Sequence, residues 1–293
     1  MNKIIGLVTG YGVQDWIEPC LKQAIEYCDE VLISIGPKSP VMKRFEDNTF
    51  YVCQQYASKY SDKVKLFSVS PEIDSTAIGT AVTLNILLQK SELFEPGNWI
   101  WILDSDEFYH RETYNHIKDL IHEDVATHIT VSAKFFLVNM QHYLESYNQR
   151  LFKITDLNKK DESLSLFLPT QHWSMVPNKV EVTTHKKYSM FHYSMLKDPR
   201  MRIFQWGEEQ PGRKQKHKSK WGNEIYKYYD LNNEEYWLDK NEEISGIRHP
   251  LFHNAYKAAD DGKLLVYNGK QPECIEETDL PKVEDFRKFY NFI

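Results

Sequence analysis

The first hundred residues alternate short apolar runs with stretches of helical period, and this alternation limits the possible folds more than any other feature. The apolar runs lie at residues 3–8, 31–35, 64–69 and 99–103. Between them, apolar side chains recur every three or four residues, as they do on the buried face of a helix. This βαβαβαβ order predicts a parallel sheet with right-handed crossovers. The predicted fold class is therefore α/β, with a mostly parallel, Rossmann-like central sheet flanked by helices.

Two of the predicted helices can be described more closely. The first is expected to begin at Asp15, a candidate N-cap residue with Glu18 three positions later. Cys20 and Cys28 fall on its apolar face, so both are predicted to be buried, reduced thiols. The third helix is predicted over about residues 80–89. Its inward positions are predicted to be Val82, Ile86 and Leu87.

Small and polar residues follow the ends of four predicted strands. They lie at residues 9–11, 34–36, 70–74 and 104–106. Ligands of open parallel sheets bind beyond the carboxyl ends of the strands. The sequence therefore predicts one crevice bordered by four strand ends, the last of which is acidic.

The strongest local signal is the run WIWILDSDEF at residues 99–108. A predicted central strand is followed within four residues by Asp104, Asp106 and Glu107. In extended structure, Asp104 and Asp106 would lie on the same side, and a cation would relieve their repulsion. Mg²⁺ or Mn²⁺ fits best, because both prefer oxygen ligands. The alternative is a solvated turn in which Asp104 or Asp106 caps the following helix.

Composition and motifs exclude several classes of function. A net charge of -6 argues against a general electrostatic nucleic-acid binder. The sequence has neither a phosphate-binding GxxxxGK[ST] motif nor a GxGxxG motif after its first strand. Its start is not a signal peptide, and no apolar window approaches the roughly 18 residues of a spanning helix. A cytoplasmic protein, working at the inner face of the membrane if its acceptor is lipid-linked, is the expectation.

The order of the segments resembles the family 2-type glycosyltransferases with the GT-A fold. Residues 3–10, KIIGLVTG, resemble the family's first strand, and the stretch from Gly79 to Asn85 resembles its segment before the acidic motif. WIWILDSDEF resembles the Asp-x-Asp strand, and Glu107 with the run 150–152, Arg-Leu-Phe, resembles one subgroup. One departure is Ile35-Gly36, where many relatives carry an aspartate that contacts the nucleotide base.

The resemblance implies a catalytic domain over residues 1–200 and a smaller, helical C-terminal extension over residues 201–293 packed on it. It implies transfer of a hexose from a nucleoside-diphosphate sugar to a glycan, lipid-linked or small-molecule acceptor, with Mn²⁺ or Mg²⁺ as cofactor. The candidate metal ligands are Asp104, Asp106 and His192. The candidate nucleotide-sugar contacts are Thr9, Gly10, Tyr11, Ser34, Gly36, Asn85, Asp104, Ser105 and Lys220.

Several of these assignments have a simpler alternative. His192 is equally well interpreted as a half-buried strand histidine with a satisfied hydrogen bond. Lys220 ends a basic run that is more commonly a solvated face. Glu181 and Glu107 are the candidates for the base that deprotonates the acceptor, and Glu181 is also typical of an exposed strand residue. Inversion and retention are both open.

Two other functions fit the same pattern. One is a non-catalytic protein that binds a nucleotide sugar or a glycan on this fold. The other is a sugar-phosphate nucleotidyltransferase, which is disfavoured because the loop after the first strand, TGYGVQDW, contains no basic residue.

Overall fold

The computed structural model describes residues 2–37, 46–69, 76–137, 140–155, 180–193 and 261–276. These residues form a ten-stranded mixed sheet with helices on both faces. The strands are β1 (Ile4–Gly10), β2 (Glu30–Ile35), β3 (Val64–Phe67), β4 (Trp99–Asp104), β5 (Glu107–Tyr109), β6 (His128–Phe136), β7 (His142–Lys153), β8 (Glu181–Thr183), β9 (Met190–His192) and β10 (Leu265–Val266). The helices are α1 (Gln14–Tyr27), α2 (Thr49–Lys59), α3 (Thr76–Gln89), α4 (Arg111–Glu123) and α5 (Glu273–Glu276).

The sheet has a parallel half and a mixed half. The parallel half has the strand order β3-β2-β1-β4. Next to it, β7 runs antiparallel to β4, and β6 runs antiparallel to β7. Beyond β6, β9 pairs in parallel with β6 and antiparallel with β5. The predicted fold class, α/β with a mostly parallel central sheet flanked by helices, is confirmed.

The central strand β4 shows why its sequence is apolar without interruption. Trp99, Trp101 and Leu103 pack in the cluster that includes α1 and α2. Ile100 and Ile102 pack in the cluster that includes α3. A strand covered on both faces has no side that favours polar residues, so its first polar side chain comes where the strand leaves the core, at Asp104.

The start of α1 differs from the prediction. The helix begins at Gln14, and Val13 is its N-cap residue, with no side-chain capping bond. The Val13 carbonyl already accepts hydrogen bonds from Trp16 N and Ile17 N, each at 2.9 Å. Asp15 therefore lies in the first turn, where its negative charge still interacts favourably with the positive end of the helix dipole.

The buried face of α3 also differs from the prediction. The helix begins at Thr76, and of the three residues predicted to point inward only Leu87 is buried. Val82 and Ile86 are half-buried. Because apolar residues surround most of this helix, their spacing alone does not select a face. The buried apolar residues with Leu87 are Ala81, Leu84 and Leu88, and Thr83 is buried among them.

The predicted cysteine state is confirmed, because Cys20 and Cys28 are both free and buried. The predicted division at residue 200 stays a prediction, since most of residues 201–293 lie outside the described part of the chain. The segment 261–276 does pack on the body, where β10 pairs with β7 and Ile275 of α5 is buried. No described helix has both the length and the apolar composition to cross a membrane.

Candidate active site

Three polar residues stand side by side where β2, β1 and β4 end. Thr9 pairs in register with Ser34 on one neighbouring strand and with Asp104 on the other. Residues in register on parallel strands project to the same face. The apolar residues two positions earlier, Leu7 and Ile102 among them, pack in the α3 cluster. Thr9, Ser34 and Asp104 therefore form a polar row on the α3 face, at the carboxyl edge of the sheet.

The turn after β1 borders this row. Gly10 is buried, and a Cβ atom placed there would lie 2.8 Å from Val13 Cγ2, so a larger residue would displace the start of α1. Tyr11 is half-buried, and burial raises its pKa, with a further increase from Glu46 and Asp47. The predicted contacts Thr9, Gly10 and Tyr11 thus lie at the predicted edge.

The other predicted nucleotide contacts are more dispersed. Gly36 follows β2 directly, beside the turn after β1. Asn85 lies on α3 and is half-buried. Ser105 is buried between Asp104 and Asp106. Lys220 lies outside the described residues.

Residues 104–107 form what we call the acidic loop, which leads from β4 into β5. Its three carboxylates differ in exposure: the side chain of Asp104 is 38% exposed, whereas Asp106 is almost fully buried and Glu107 has no exposed surface. Asp104 is therefore the most accessible of the three to a ligand in the crevice.

Arg150 connects two members of the acidic loop. It lies on β7, the strand antiparallel to β4. Its Nη2 donates to Asp104 Oδ2 at 3.1 Å and also to Glu107 Oε1. The Arg-Leu-Phe run was part of the family resemblance, which gave Arg150 no role. Its contact with the acidic loop is seen only in the structure.

The electrostatics of the acidic loop follow from burial. Burial raises the pKa of Glu107 to about 8; Arg150 opposes this increase, while Asp104 and Asp106 add to it. Burial lowers the pKa of Arg150, but Glu107 and Asp104 outweigh that effect and raise it, so Arg150 remains charged. Two of the three carboxylates, Asp104 and Glu107, thus share this guanidinium.

His192 comes to the acidic loop from β9. It pairs in register with Glu107, and Tyr193 N donates to the Asp106 carbonyl at 2.8 Å. The ring places Nε2 3.9 Å from Asp106 Oδ2 and Nδ1 3.7 Å from Glu107 Oε1. Phe135 contacts the same ring edge-on, at 4.9 Å between centroids. The structure therefore brings the three candidate metal ligands Asp104, Asp106 and His192 into one region.

Gln23 of α1 also holds the acidic loop, and no sequence signal pointed to it. Its Nε2 donates to the Glu107 carbonyl at 2.5 Å, and its Oε1 accepts from Tyr109 N at 3.3 Å. The sequence does not show whether a glutamine among the apolar positions of a helix is buried or exposed. Its role depends on the strand that packs above it.

Glu181 lies far from the acidic loop. It pairs with His128 at the start of β6, and this level of the sheet corresponds to Ile100 on β4. Asp104 is four residues further along and three strands away, a separation of about 20 Å. Glu181 is exposed and accepts a hydrogen bond from Thr130. The structure thus does not bring the two candidate bases, Glu181 and Glu107, together.

Within the described ranges, no group of three or more His, Cys, Asp or Glu side chains has the arrangement of a complete metal site. The closest atoms of Asp106 and His192, Oδ2 and Nε2, are 3.9 Å apart. Adjacent ligands of an octahedral Mg²⁺ are about 3 Å apart and opposite ligands about 4.2 Å apart, so a small shift of the side chains would be needed for both to bind one ion.

No protein-family model matches the sequence, and no curated protein matches it. The solved structures that are similar to it at the level of the fold include the following two. The crystal structure of TarS 1–349 from S. aureus is 15% identical, with a TM-score of 0.40 over 89% of each chain. That of a 4-diphosphocytidyl-2C-methyl-D-erythritol synthase is 12% identical, with a TM-score of 0.34, and covers 56% of this chain and 83% of the other. Both similarities are low, and neither assigns a role to any residue of the site.

Proposed function

We propose that the chain is a glycosyltransferase that moves a hexose from a nucleoside-diphosphate sugar to an acceptor hydroxyl, with Mn²⁺ or Mg²⁺ bound at the acidic loop. The observation that carries the proposal is the loop itself. Asp104, Asp106 and Glu107 crowd together at the carboxyl edge of a parallel sheet, with Arg150 as a shared cation. A divalent ion would relieve their repulsion.

Asp106 and His192 are the residues that would hold this ion. Their atoms are within the span of one ion, and carboxylate oxygen and imidazole nitrogen are both ligands that Mn²⁺ accepts. The remaining positions would be left to water and to the donor's phosphates, as is usual for Mg²⁺ and Mn²⁺ in phosphate chemistry. The ion would supply positive charge to the departing nucleoside diphosphate.

The polar row supports a nucleotide sugar as the ligand. Ser34 Oγ is buried and forms no hydrogen bond within the described part of the chain, so a ligand hydroxyl or a water molecule would satisfy it. Asp104, exposed at the end of the same row, can accept a hydrogen bond from a ribose or sugar hydroxyl. We assign Thr9, Gly10 and Tyr11 to the border of the nucleoside.

Glu107 has a different role in this proposal from the one its sequence position suggested. Because it is fully buried and bound to Arg150, it holds the loop and does not contact an acceptor. Glu181, at the opposite edge, receives no role in the transfer.

The test is titration calorimetry of a panel of nucleoside diphosphates, with and without Mn²⁺, on the wild type and on Asp106→Asn. We expect Mn²⁺-dependent binding of one nucleotide by the wild type. The variant should lose more affinity than the roughly 10–100-fold that follows loss of an outer-shell partner. Glu30→Gln, which alters a buried carboxylate at the opposite edge of the sheet, is the matched control and should bind normally.

A second measurement separates transfer from binding alone. Incubation with the nucleoside-diphosphate sugar of the preferred base should release the nucleoside diphosphate when a suitable acceptor is present. Metal-dependent binding without release over a broad acceptor panel would instead support the non-catalytic alternative. Failure of folded wild type to bind any nucleotide would contradict the proposal.

A further inference from the structure

Arg150 is buried at a position that reaches two carboxylates at once. Its side chain is 9% exposed, and the same nitrogen, Nη2, contacts Asp104 Oδ2 and Glu107 Oε1. Asp104 and Glu107 stand at the two ends of the acidic loop, one on β4 and the other on β5. A contact to both ends fixes the span of the loop and therefore the position of Asp106 between them.

The contact extends through Glu107 to His192. Glu107 Oε1, the oxygen bound by Arg150, also lies 3.7 Å from His192 Nδ1. The other ring nitrogen, Nε2, faces Asp106. At 3.7 Å the Glu107 carboxyl is too far from Nδ1 for a hydrogen bond, so it acts on the ring through packing and charge, and a small approach would let Nδ1–H donate to it while Nε2 binds a ligand.

The backbone of the acidic loop is held as well. Gln23 binds the carbonyl of Glu107, and Tyr193 N binds the carbonyl of Asp106. These bonds fix the path of the chain, and Arg150 acts on the side chains of Asp104 and Glu107 at the two ends of that path.

We propose that Arg150 is the positioning residue of this site: by holding Asp104 and Glu107 together, it sets the carboxylate of Asp106 and the ring of His192 so that both reach one divalent cation. This inference rests on the function proposed above. Arginine suits the role because its guanidinium is planar and permanently charged, whereas the flexible ammonium group of lysine acts as a point charge.

The experiment measures Mn²⁺ affinity directly, from the electron paramagnetic resonance signal of free Mn²⁺, in the presence and absence of the preferred nucleoside diphosphate. The variants are Arg150→Met, Arg150→Lys and the double variant Glu107→Gln/Arg150→Met. We expect the dissociation constant for Mn²⁺ to rise roughly 10–100-fold in Arg150→Met. Arg150→Lys, which keeps the charge but not the geometry, should recover only part of this loss.

The double variant separates positioning from simple charge balance. It removes the buried cation together with its most buried carboxylate, so its melting temperature should return toward that of the wild type. Its Mn²⁺ affinity should stay low, because the guanidinium that contacts Asp104 and Glu107 in the wild type is absent. Recovery of affinity together with stability would overturn the positioning role. Because the double variant and Arg150→Lys retain a compensated core, the test remains decisive if Arg150→Met fails to fold.

Wild-type Mn²⁺ binding distinguishes the two proposals. If folded wild type binds no Mn²⁺, the proposed function fails, and the role of Arg150 fails with it. If the wild type binds Mn²⁺, Asp106→Asn loses it, and all Arg150 variants bind within about threefold of the wild type, the function stands and the positioning role is wrong. Glu30→Gln should leave the affinity unchanged, which shows that loss of stability alone does not alter it.

Discussion

Each end of the sheet, where the parallel strands begin and where they end, contains a buried glutamate beside a cation. The pKa is lowered for the first glutamate and raised for the second. At the amino edge, Glu30 accepts hydrogen bonds from Lys65 Nζ at 2.8 Å, from Glu92 N at 3.2 Å and from Ser91 Oγ. Burial raises the pKa of Glu30, but these hydrogen bonds outweigh it and leave the pKa lowered.

At the carboxyl edge, Glu107 is bound by Arg150 at one oxygen, while Oε2 is buried without a hydrogen-bond partner among the described residues. Burial dominates there, and two further carboxylates raise the pKa in the same direction. The fold can therefore satisfy a buried glutamate fully, as it does with Glu30. At the other edge it instead crowds three carboxylates in the acidic loop, and this contrast is a reason for proposing a cation there.

The largest expected effect is the loss of stability when the cation beside Glu107 is removed. Arg150→Met removes the buried guanidinium that donates to both Asp104 and Glu107, and removal of one partner from a buried ionic cluster costs about 3–5 kcal/mol. Lys65→Met should cost less, about 1–2 kcal/mol, because the Lys65 side chain is 25% exposed and Glu30 keeps its other donors. Urea unfolding of both variants measures the difference. Equal losses would show that the two edges are electrostatically alike.

The next effect concerns Glu30. Glu30→Gln should lower the free energy of unfolding by about 2 kcal/mol at pH 7, because hydrogen bonds to a charged group are replaced by weaker neutral ones. The loss should depend on pH. Since the pKa of Glu30 is below its ordinary value of 4.5 in the folded state, the stabilisation is complete above about pH 4.5 and disappears as the pH falls through the folded value.

Unfolding curves of wild type and Glu30→Gln between pH 3 and pH 7 test this prediction. The difference in unfolding free energy should shrink on the acid side. A difference that is constant over the whole range would contradict a lowered pKa.

A smaller effect is expected from the backbone clamp on the acidic loop. Gln23→Leu removes both hydrogen bonds to β5 and leaves the Glu107 carbonyl and the Tyr109 N–H buried without these partners. This should lower the free energy of unfolding by about 1–2 kcal/mol. Gln14→Leu, on the same helix, removes an exposed contact with Asn48 N and serves as the control. Thermal unfolding should show a clear decrease only for Gln23→Leu.

The smallest effect is expected for an arginine–glutamate pair that is exposed to solvent. Arg111 Nη2 lies 2.6 Å from Glu26 Oε1, and both side chains are largely in solvent. Arg111→Ala should change the unfolding free energy by less than about 0.5 kcal/mol, and less still in high salt. A loss as large as that of Lys65→Met would mean that burial is not what distinguishes these pairs.

Much of the fold followed from local patterns. The apolar runs predicted β1 to β4 and their parallel order, because a strand that is buried on both faces must be apolar throughout. The buried face of α3 did not follow, since its sequence is apolar nearly all round. The N-cap of α1 did not follow either, because backbone bonds from Val13 start the helix before Asp15.

The candidate site was predicted in part. Asp104 and Asp106 could be identified from the sequence because they directly follow an uninterrupted apolar run, and His192 was suggested by the family resemblance. The structure brings all three into one region, while their roles as metal ligands stay predictions. Glu181 was chosen from its local sequence, which contains no information about which edge of the sheet its strand occupies.

The sequence by itself determined the order of strands and helices as far as β4, the position of the acidic loop and the crowding of its carboxylates, because these properties depend on neighbours along the chain. Only the tertiary structure decided that Arg150, Gln23 and His192 meet that loop. Arg150 is 43 residues from Glu107, Gln23 is 84 residues from it, and His192 comes from a separate strand. Contacts of this kind are set by strand order and register, in which a shift of one residue would turn each side chain to the opposite face.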